Sequence, residues 1–308
     1  MAIQRSSLAA ALCLSLLFSL TQALVVQKTL PVSQLVEQYA SNIAALQQQA
    51  TASGISLDQA PYDSPVFYLR YCLDQEDPAE RLANFKTNIA WRTGAGKSIC
   101  ESATAAVQQA RADGGRWNNA PVLAAAPHSA IISQFLTPQN ALTTTSSQKD
   151  LVYCIRAGKI DDTGLMEAVS VDQLVDFFLY IKEVNSAVCN QRSTEIDQLL
   201  QVVTANDLKG VKLIGGSAAF RQALSASSKQ ANELYPSISG PTLLLNLPPL
   251  LSALVRLFTP LFPPEVSKRL KFAQGPLKTV ASLEDIAPGG SQRETFLKQI
   301  DDLIYQSK

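Results

Sequence analysis

The chain has 308 residues, 46% of them hydrophobic and 17% charged, with 26 basic and 26 acidic side chains and one histidine. That length is enough to bury a substantial core in one large domain or two small ones. A formal charge of zero and a charged fraction below the usual quarter exclude the broad basic face that nucleic-acid binding requires.

Residues 1–23 read as an export signal: Arg5 supplies a short positive region, Leu8 to Leu20 an uncharged apolar run, and Thr21-Gln22-Ala23 a small-residue cleavage site. An apolar run this short spans a bilayer poorly, so cleavage is expected rather than an anchor. The expected destination is the secretory pathway, lumenal or secreted. Residues 24–60 hold few acids and much Gln, Ala and Ser. They read either as a second targeting segment, whose bipartite leader would lead to a plastid, or as an N-terminal amphipathic helix on Leu35, Tyr39, Ile43 and Leu46.

Residues 61–120 carry a helical pattern. Phe67, Leu69 and Tyr71 begin an apolar face, Asp77-Pro78 forms a helix start, and Leu82, Phe85, Ile89 and Ala90 recur at helical spacing up to Thr93-Gly94. A further helix is expected from about Ile99 to Ala112, stopped by Gly114-Gly115. Residues 121–139 are rich in Ala, Pro and Ser and read as a connector. From 140 to 290 the period changes. Asn140–Thr145 and Asp150–Ile155 read as a hairpin around Ser146-Ser147-Gln148-Lys149, and Val171–Val188 as an amphipathic helix with Leu174, Phe177, Phe178, Ile181 and Val184 on one face. Leu199–Thr204 reads as a buried strand, Ala218–Leu234 as a helix, Thr242–Asn246 as a strand and Pro249–Phe262 as an apolar helix. Residues 291–308 read as a closing amphipathic helix. Strands separated by helices of this length predict an α/β fold with a largely parallel sheet.

No motif brings catalytic chemistry with it. Thr93-Gly94-Ala95-Gly96-Lys97-Ser98 looks like the end of a phosphate-binding loop, but Trp91 stands where the first glycine belongs and the segment leaves a helix, not a strand. It reads as a helix-terminating turn. His128 is the single histidine any triad would need; there is no G-x-S-x-G elbow, and the acid pairs Asp161-Asp162 and Asp301-Asp302 read as solvated. Cys72, Cys100, Cys154 and Cys189 have no C-x-x-C spacing, so no metal site is expected. Disulfides stay open, with three connectivities for four cysteines, although Cys154 in its apolar strand also reads as a buried thiol. No catalytic residue and no cofactor is expected.

The segment Thr242–Phe262 holds one charge, Arg256, and is long enough for a membrane span, but Pro248, Pro249 and Pro260 speak against a continuous one. A strand, a turn and a helix from Pro249 fit better. That helix is apolar on more than one face, so it is either buried on both sides or faces lipid at some times and protein at others.

Several ordered blocks carry a resemblance to the CRAL-TRIO family of retinaldehyde, tocopherol and phospholipid carriers. They are Phe67-Tyr68-Leu69-Arg70, Arg81 to Arg92, Leu151-Val152-Tyr153, Gly158-Lys159-Ile160, Asp207-Leu208-Lys209-Gly210, Tyr235-Pro236-Ser237-Ile238-Ser239-Gly240, Leu244-Leu245-Asn246-Leu247-Pro248 and Leu257-Phe258-Thr259-Pro260-Leu261. The resemblance spans about Pro61 to Glu284. It implies a mixed, largely parallel sheet flooring a hydrophobic pocket, a helical N-terminal subdomain, and a gate helix that opens at a membrane. Implied ligand contacts are Tyr153, Thr204, Leu250, Leu251, Leu254, Val255, Phe258 and Phe262. Arg256, Leu257 and Leu261, with Lys268, Arg269 and Lys271 nearby, would meet a transient membrane surface. Phosphatidylinositol carriers of the family use a glutamate and a lysine where this chain has Ala226 and Thr259, which argues against an inositol phosphate headgroup. Phosphatidylcholine carriers match at Tyr153 and Thr204, while a second tyrosine would fall at Leu142; Tyr153 also reads as an ordinary strand aromatic. The resemblance therefore implies a monomeric carrier, not an enzyme, for a neutral or zwitterionic lipid or isoprenoid ligand other than phosphatidylinositol. The alternative is a scaffold or regulatory protein with a filled pocket.

Overall fold

The computed structural model describes residues 30–111, 117–211, 216–249, 252–253 and 270–305. The export-signal reading and nearly all of the apolar segment after Pro249 lie outside the described residues.

Helices α1 (Val32–Gln38) and α2 (Ala40–Ala52) stand where one amphipathic helix was read, with a break at Tyr39. Their buried Leu35, Ile43, Leu46 and Ala50 join α3 (Pro65–Asp74) and α4 (Pro78–Thr93) in a single core. Phe67 lies at its centre, with the rings of Tyr62, Tyr68, Tyr71 and Phe85 all within 6.1 Å, mostly edge to face, the arrangement the ring quadrupole favours. α4 begins as its sequence requires: the Asp77 carboxylate accepts from the Ala79 amide and Pro78 takes the first helical position.

Between α4 and α5 (Lys97–Arg111) lies the glycine turn, not a phosphate cradle. The Gly94 amide donates to the Ala90 carbonyl and the Gly96 amide to that of Trp91. A Cβ on Gly96 would run into the Trp91 ring, so the residue that spoils the phosphate-loop pattern is also the one that demands glycine here. The connector contains two short helices, α6 (Ala120–Ala125) and α7 (Ser129–Ile132), joined through His128 in a left-handed conformation.

The sheet has five strands in the order β1 (Ala141–Thr145), β2 (Leu151–Arg156), β3 (Val202–Asp207), β4 (Ser239–Leu245) and β5 (Leu270–Ala273). β1 and β2 form the expected antiparallel hairpin; β2 to β5 are parallel. The expected mixed, largely parallel α/β fold is therefore what the chain adopts. The β2–β3 crossover contains α8 (Asp162–Ala168) and α9 (Val171–Ile196), and the β3–β4 crossover contains α10 (Ala218–Leu234). A capping box of Ser170 and Gln173 starts α9, and left-handed Asp197 ends it. The Asp197 carboxylate also accepts from the amide and hydroxyl of Ser33, tying α1 to the end of α9.

The two sheet faces differ. Val152, Cys154, Val203, Ala205, Leu243 and Leu245 pack against the chain after β5 and α11 (Arg293–Tyr305), in a core closed by Leu277, Leu283, Phe296 and Ile300. Leu151 and Val202, on the opposite face, join the core of α9 and α10. Buried polar groups hold the layers in place. Arg156 donates to the carbonyls of Leu277, Val280 and Ala281 and lies 3.7 Å from Asp207. Asp207 also accepts from the Asn246 amide, whose oxygen accepts from Gly275. The four cysteines from Cys72 onward are buried free thiols, and burial pushes Cys72 up to about 11 and Cys100 to about 12. Among the described residues no helix is long and apolar enough to cross a membrane.

Candidate functional site

Strand register assembles the site. Thr143, Tyr153, Thr204, Thr242 and Leu270 are successive partners across all five strands, so their side chains point to the same face. One pleat further along the same face stand Ile155, Asn206, Leu244 and Phe272. This is the face toward α9 and α10. The opposite face is closed, with Val152, Cys154, Val203 and Leu243 wholly inaccessible. On the α9 side Asn206, Leu244 and Leu270 are buried, but Tyr153, Ile155, Thr204 and Thr242 are only half-buried and Phe272 is 36% exposed.

Half-burial in the middle of a sheet needs an explanation, and Tyr153 provides it. Burial pushes its hydroxyl up to about 12, the response of a phenol cut off from bulk water. The phenol is thus desolvated and yet partly accessible, on a sheet face that the described residues leave partly uncovered. Phe178, Ile181 and Phe220 from α9 and α10 border the same core and are half-buried too. The resulting surface is aromatic and aliphatic, with a few hydroxyls on the sheet side. Among the described residues this surface brings no nucleophile beside a base. Among the described residues no group of three potential ligands could hold a metal ion.

Two of the residues expected at the site, Tyr153 and Thr204, are thus brought side by side on this face. Leu142, where a second tyrosine was considered, is not beside them. It pairs with Cys154 and packs on the closed face, and the β1 partner of Tyr153 is Thr143. An aromatic cage built from β1 and β2 would need an aromatic residue at Thr143, which this chain lacks. Ala226 is exposed on α10. Leu250, Leu251, Leu254, Val255, Phe258, Phe262, Arg256, Leu257, Leu261 and Thr259 lie outside the described residues.

Sequence reasoning missed Ile155 and Thr242, which share the face of Tyr153 and Thr204. Ile155 stands two residues beyond Tyr153 on β2 and Thr242 is the direct partner of Thr204, a signal present in the sequence once the strand pairing is known. Asp207-Leu208-Lys209-Gly210 stands at the end of β3, where the Asp207 carboxylate is committed to Asn246, Arg156 and the Lys209 amide. A groove of about 420 Å³ lies beside it, lined by Lys209, Asn246, Leu247, Pro248, Gln274 and Lys278, at the ends of β3 and β4.

The sequence model of the CRAL/TRIO domain matches residues 141–286, from the first strand through the turn that follows β5. Among solved structures that match, the crystal structure of Sfh5 shares 13% identity, with a TM-score of 0.45, over 79% of this chain and 80% of that one. No curated protein matches the sequence.

Proposed function

Because the chain belongs to the CRAL/TRIO family through residues 141–286, we propose that it binds one hydrophobic lipid over the open face of its sheet and transfers or presents that lipid at membranes. The observation that carries this reading is the pair Tyr153 and Thr204, half-buried in the sheet although Tyr153 is desolvated. A filled interior would have closed over them as it closes over Cys154 and Ala205 on the other face. Each methylene of an acyl or isoprenoid chain buried there contributes about 0.8 kcal/mol. A ligand so held leaves water-insoluble cargo exposed on exit, so release requires a gate. We assign the gate to residues 249–262 on their sequence, which is apolar on more than one face and holds Arg256 as its single charge. The exposed Ala226 on α10 offers no charge to an inositol headgroup, which supports a phospholipid other than phosphatidylinositol, a sterol or an isoprenoid. The proposed protein is a monomeric carrier without enzymatic activity, directed by residues 1–60 to the secretory pathway, or to a plastid if that leader is bipartite.

Native mass spectrometry of the purified protein, before and after incubation with lipid vesicles, tests the reading through one substitution and its control. Thr204→Trp puts a large ring into the hollow. Lipid occupancy is expected to fall by about tenfold or more with little change in stability, because the ring fills space that is already open. Val203→Trp, one residue away on the closed face, is expected to cost about 1–3 kcal/mol by overpacking. If Thr204→Trp destabilises as much as Val203→Trp and the wild type takes up no lipid, the interior is solid and the scaffold reading replaces the carrier.

A further inference from the structure

One charged residue in the interior is not accounted for by the fold. Lys182 lies in the middle of α9, on the stripe that also holds Phe178, Ile181 and Asn185 at spacings of three and four residues. Phe178 and Ile181 place that stripe against the core shared with Leu151, Val202 and Tyr153 of the sheet. Lys182 is half-buried, yet burial alone pulls its amine below the ordinary lysine value, with no acid nearby to offset it. Its position on this stripe sets it beside Phe178 and Ile181, which border the core on the Tyr153 side of the sheet. Among the described residues no carboxylate pairs with it. Its neighbour Glu183, which would be the obvious counter-ion, points to the other side of the helix and is committed to Arg92 through both oxygens.

Asn185, one turn on from Ile181, shows the same deficit. It is 5% exposed, and its Nδ2 amide has no hydrogen-bond partner among the described residues. An unpaired buried donor costs about 1–3 kcal/mol, and an unpaired ammonium more. Two donors one turn apart on one stripe, neither with an acceptor among the described residues, mark the place of an acceptor from outside them. We propose that Lys182 and Asn185 form an anion-recognising station within the lipid hollow, which takes the carboxylate or phosphate of an acidic hydrophobic ligand. The inference rests on the carrier reading above and narrows it: an uncharged sterol or isoprenoid alcohol would leave Lys182 without a partner. Lysine suits such a role as a compact charge on a flexible stem, able to follow an acid that enters tail first or head first.

The test compares uptake, by native mass spectrometry, of two matched pairs of ligands: oleate against oleyl alcohol, and phosphatidic acid against diacylglycerol, the latter two in phosphatidylcholine vesicles. Wild-type protein is expected to favour the acidic member of at least one pair by about tenfold or more, the scale of a charge-assisted hydrogen bond. Preference for oleate alone identifies a carboxylate ligand, and preference for phosphatidic acid alone a phosphate. Lys182→Met should erase the preference and Lys182→Arg should keep it. The thermal midpoint of ligand-free Lys182→Met separates this role from a structural one: it should hold or rise, because a desolvated charge has been replaced by a thioether of similar shape. Uptake of neutral and acidic members alike in the wild type overturns the anion station and leaves the carrier reading standing, as does a lowered midpoint with the preference intact. Uptake of none of the four overturns both.

Discussion

Glu183→Ala is expected to destabilise the protein by about 3–5 kcal/mol, because it strands a buried guanidinium. Glu183 and Arg92 are 2% and 6% exposed and meet in a two-pronged pair, Nη1 to Oε1 at 2.9 Å and Nη2 to Oε2 at 2.6 Å. Arg92 also donates to Asn88 and lies over the Phe67 ring at 5.4 Å, so it is fixed on the helical side and cannot swing out to water. With the carboxylate gone, the charge remains and its hydration is not restored. Urea unfolding followed by circular dichroism measures the loss. Glu195→Ala serves as the comparison: Glu195 pairs with Arg111 at the surface, its side chain 44% exposed, and its removal is expected to cost less than about 1 kcal/mol. The double substitution Arg92→Met with Glu183→Leu should recover much of the deficit, since an apolar pair requires no counter-charge. Similar small losses for Glu183→Ala and Glu195→Ala would show that water reaches Arg92.

Arg70→Leu is expected to be comparably damaging for a different reason. The Arg70 guanidinium, 2% exposed, leaves α3 and donates to three separate parts of the α/β layer: Asn190 Oδ1 on α9 at 2.5 Å, the Leu200 carbonyl before β3 at 2.8 Å, and the Ser237 carbonyl before β4 at 2.8 Å. Burial pulls it down to about 10, so it stays charged at neutral pH. Leucine would leave three acceptors in a dry interior, each at about 1–3 kcal/mol, and would loosen the helical layer from the sheet it braces. A lower thermal midpoint and faster proteolysis between α4 and α5 are the expected readouts. Arg70→Lys should recover only part of the loss, because a single ammonium cannot reach acceptors spread around a planar fork. Full rescue by lysine would mean that charge, not fork geometry, is what the layer needs.

Much of this architecture was legible in the sequence, and the reasons are local. α10 was expected from Ala218 to Leu234 and occurs there, because Ser217 caps its first turn and the Tyr235-Pro236 pair ends it. The hairpin of β1 and β2 follows from two branched runs around a polar turn, with Lys149 in the left-handed conformation. Where expectation and structure part, polar residues have been buried by tertiary contacts. α9 runs on past Val188 to Ile196 because Asn190 meets Arg70 and the Ser193 hydroxyl accepts from the Leu200 amide, so its last turns are buried without looking apolar. β3 was read as Leu199–Thr204 and is Val202–Asp207, since Asn206 and Asp207 complete a parallel ladder while Leu199 and Leu200 lead into it. β5, only four residues with a lysine and an exposed phenylalanine, has no strand signal of its own and exists because β4 offers it an edge.

The amino-acid sequence by itself determined where most helices begin, the hairpin and the α/β alternation, because capping, turn chemistry and periodicity act over a few residues. Only the tertiary structure decided which face of the sheet is closed and that Leu142 lies behind Tyr153 and not beside it. Periodicity tells which side chains share a stripe, but a stripe facing a hollow and one facing water have the same spacing; the difference lies in what the rest of the chain packs against them.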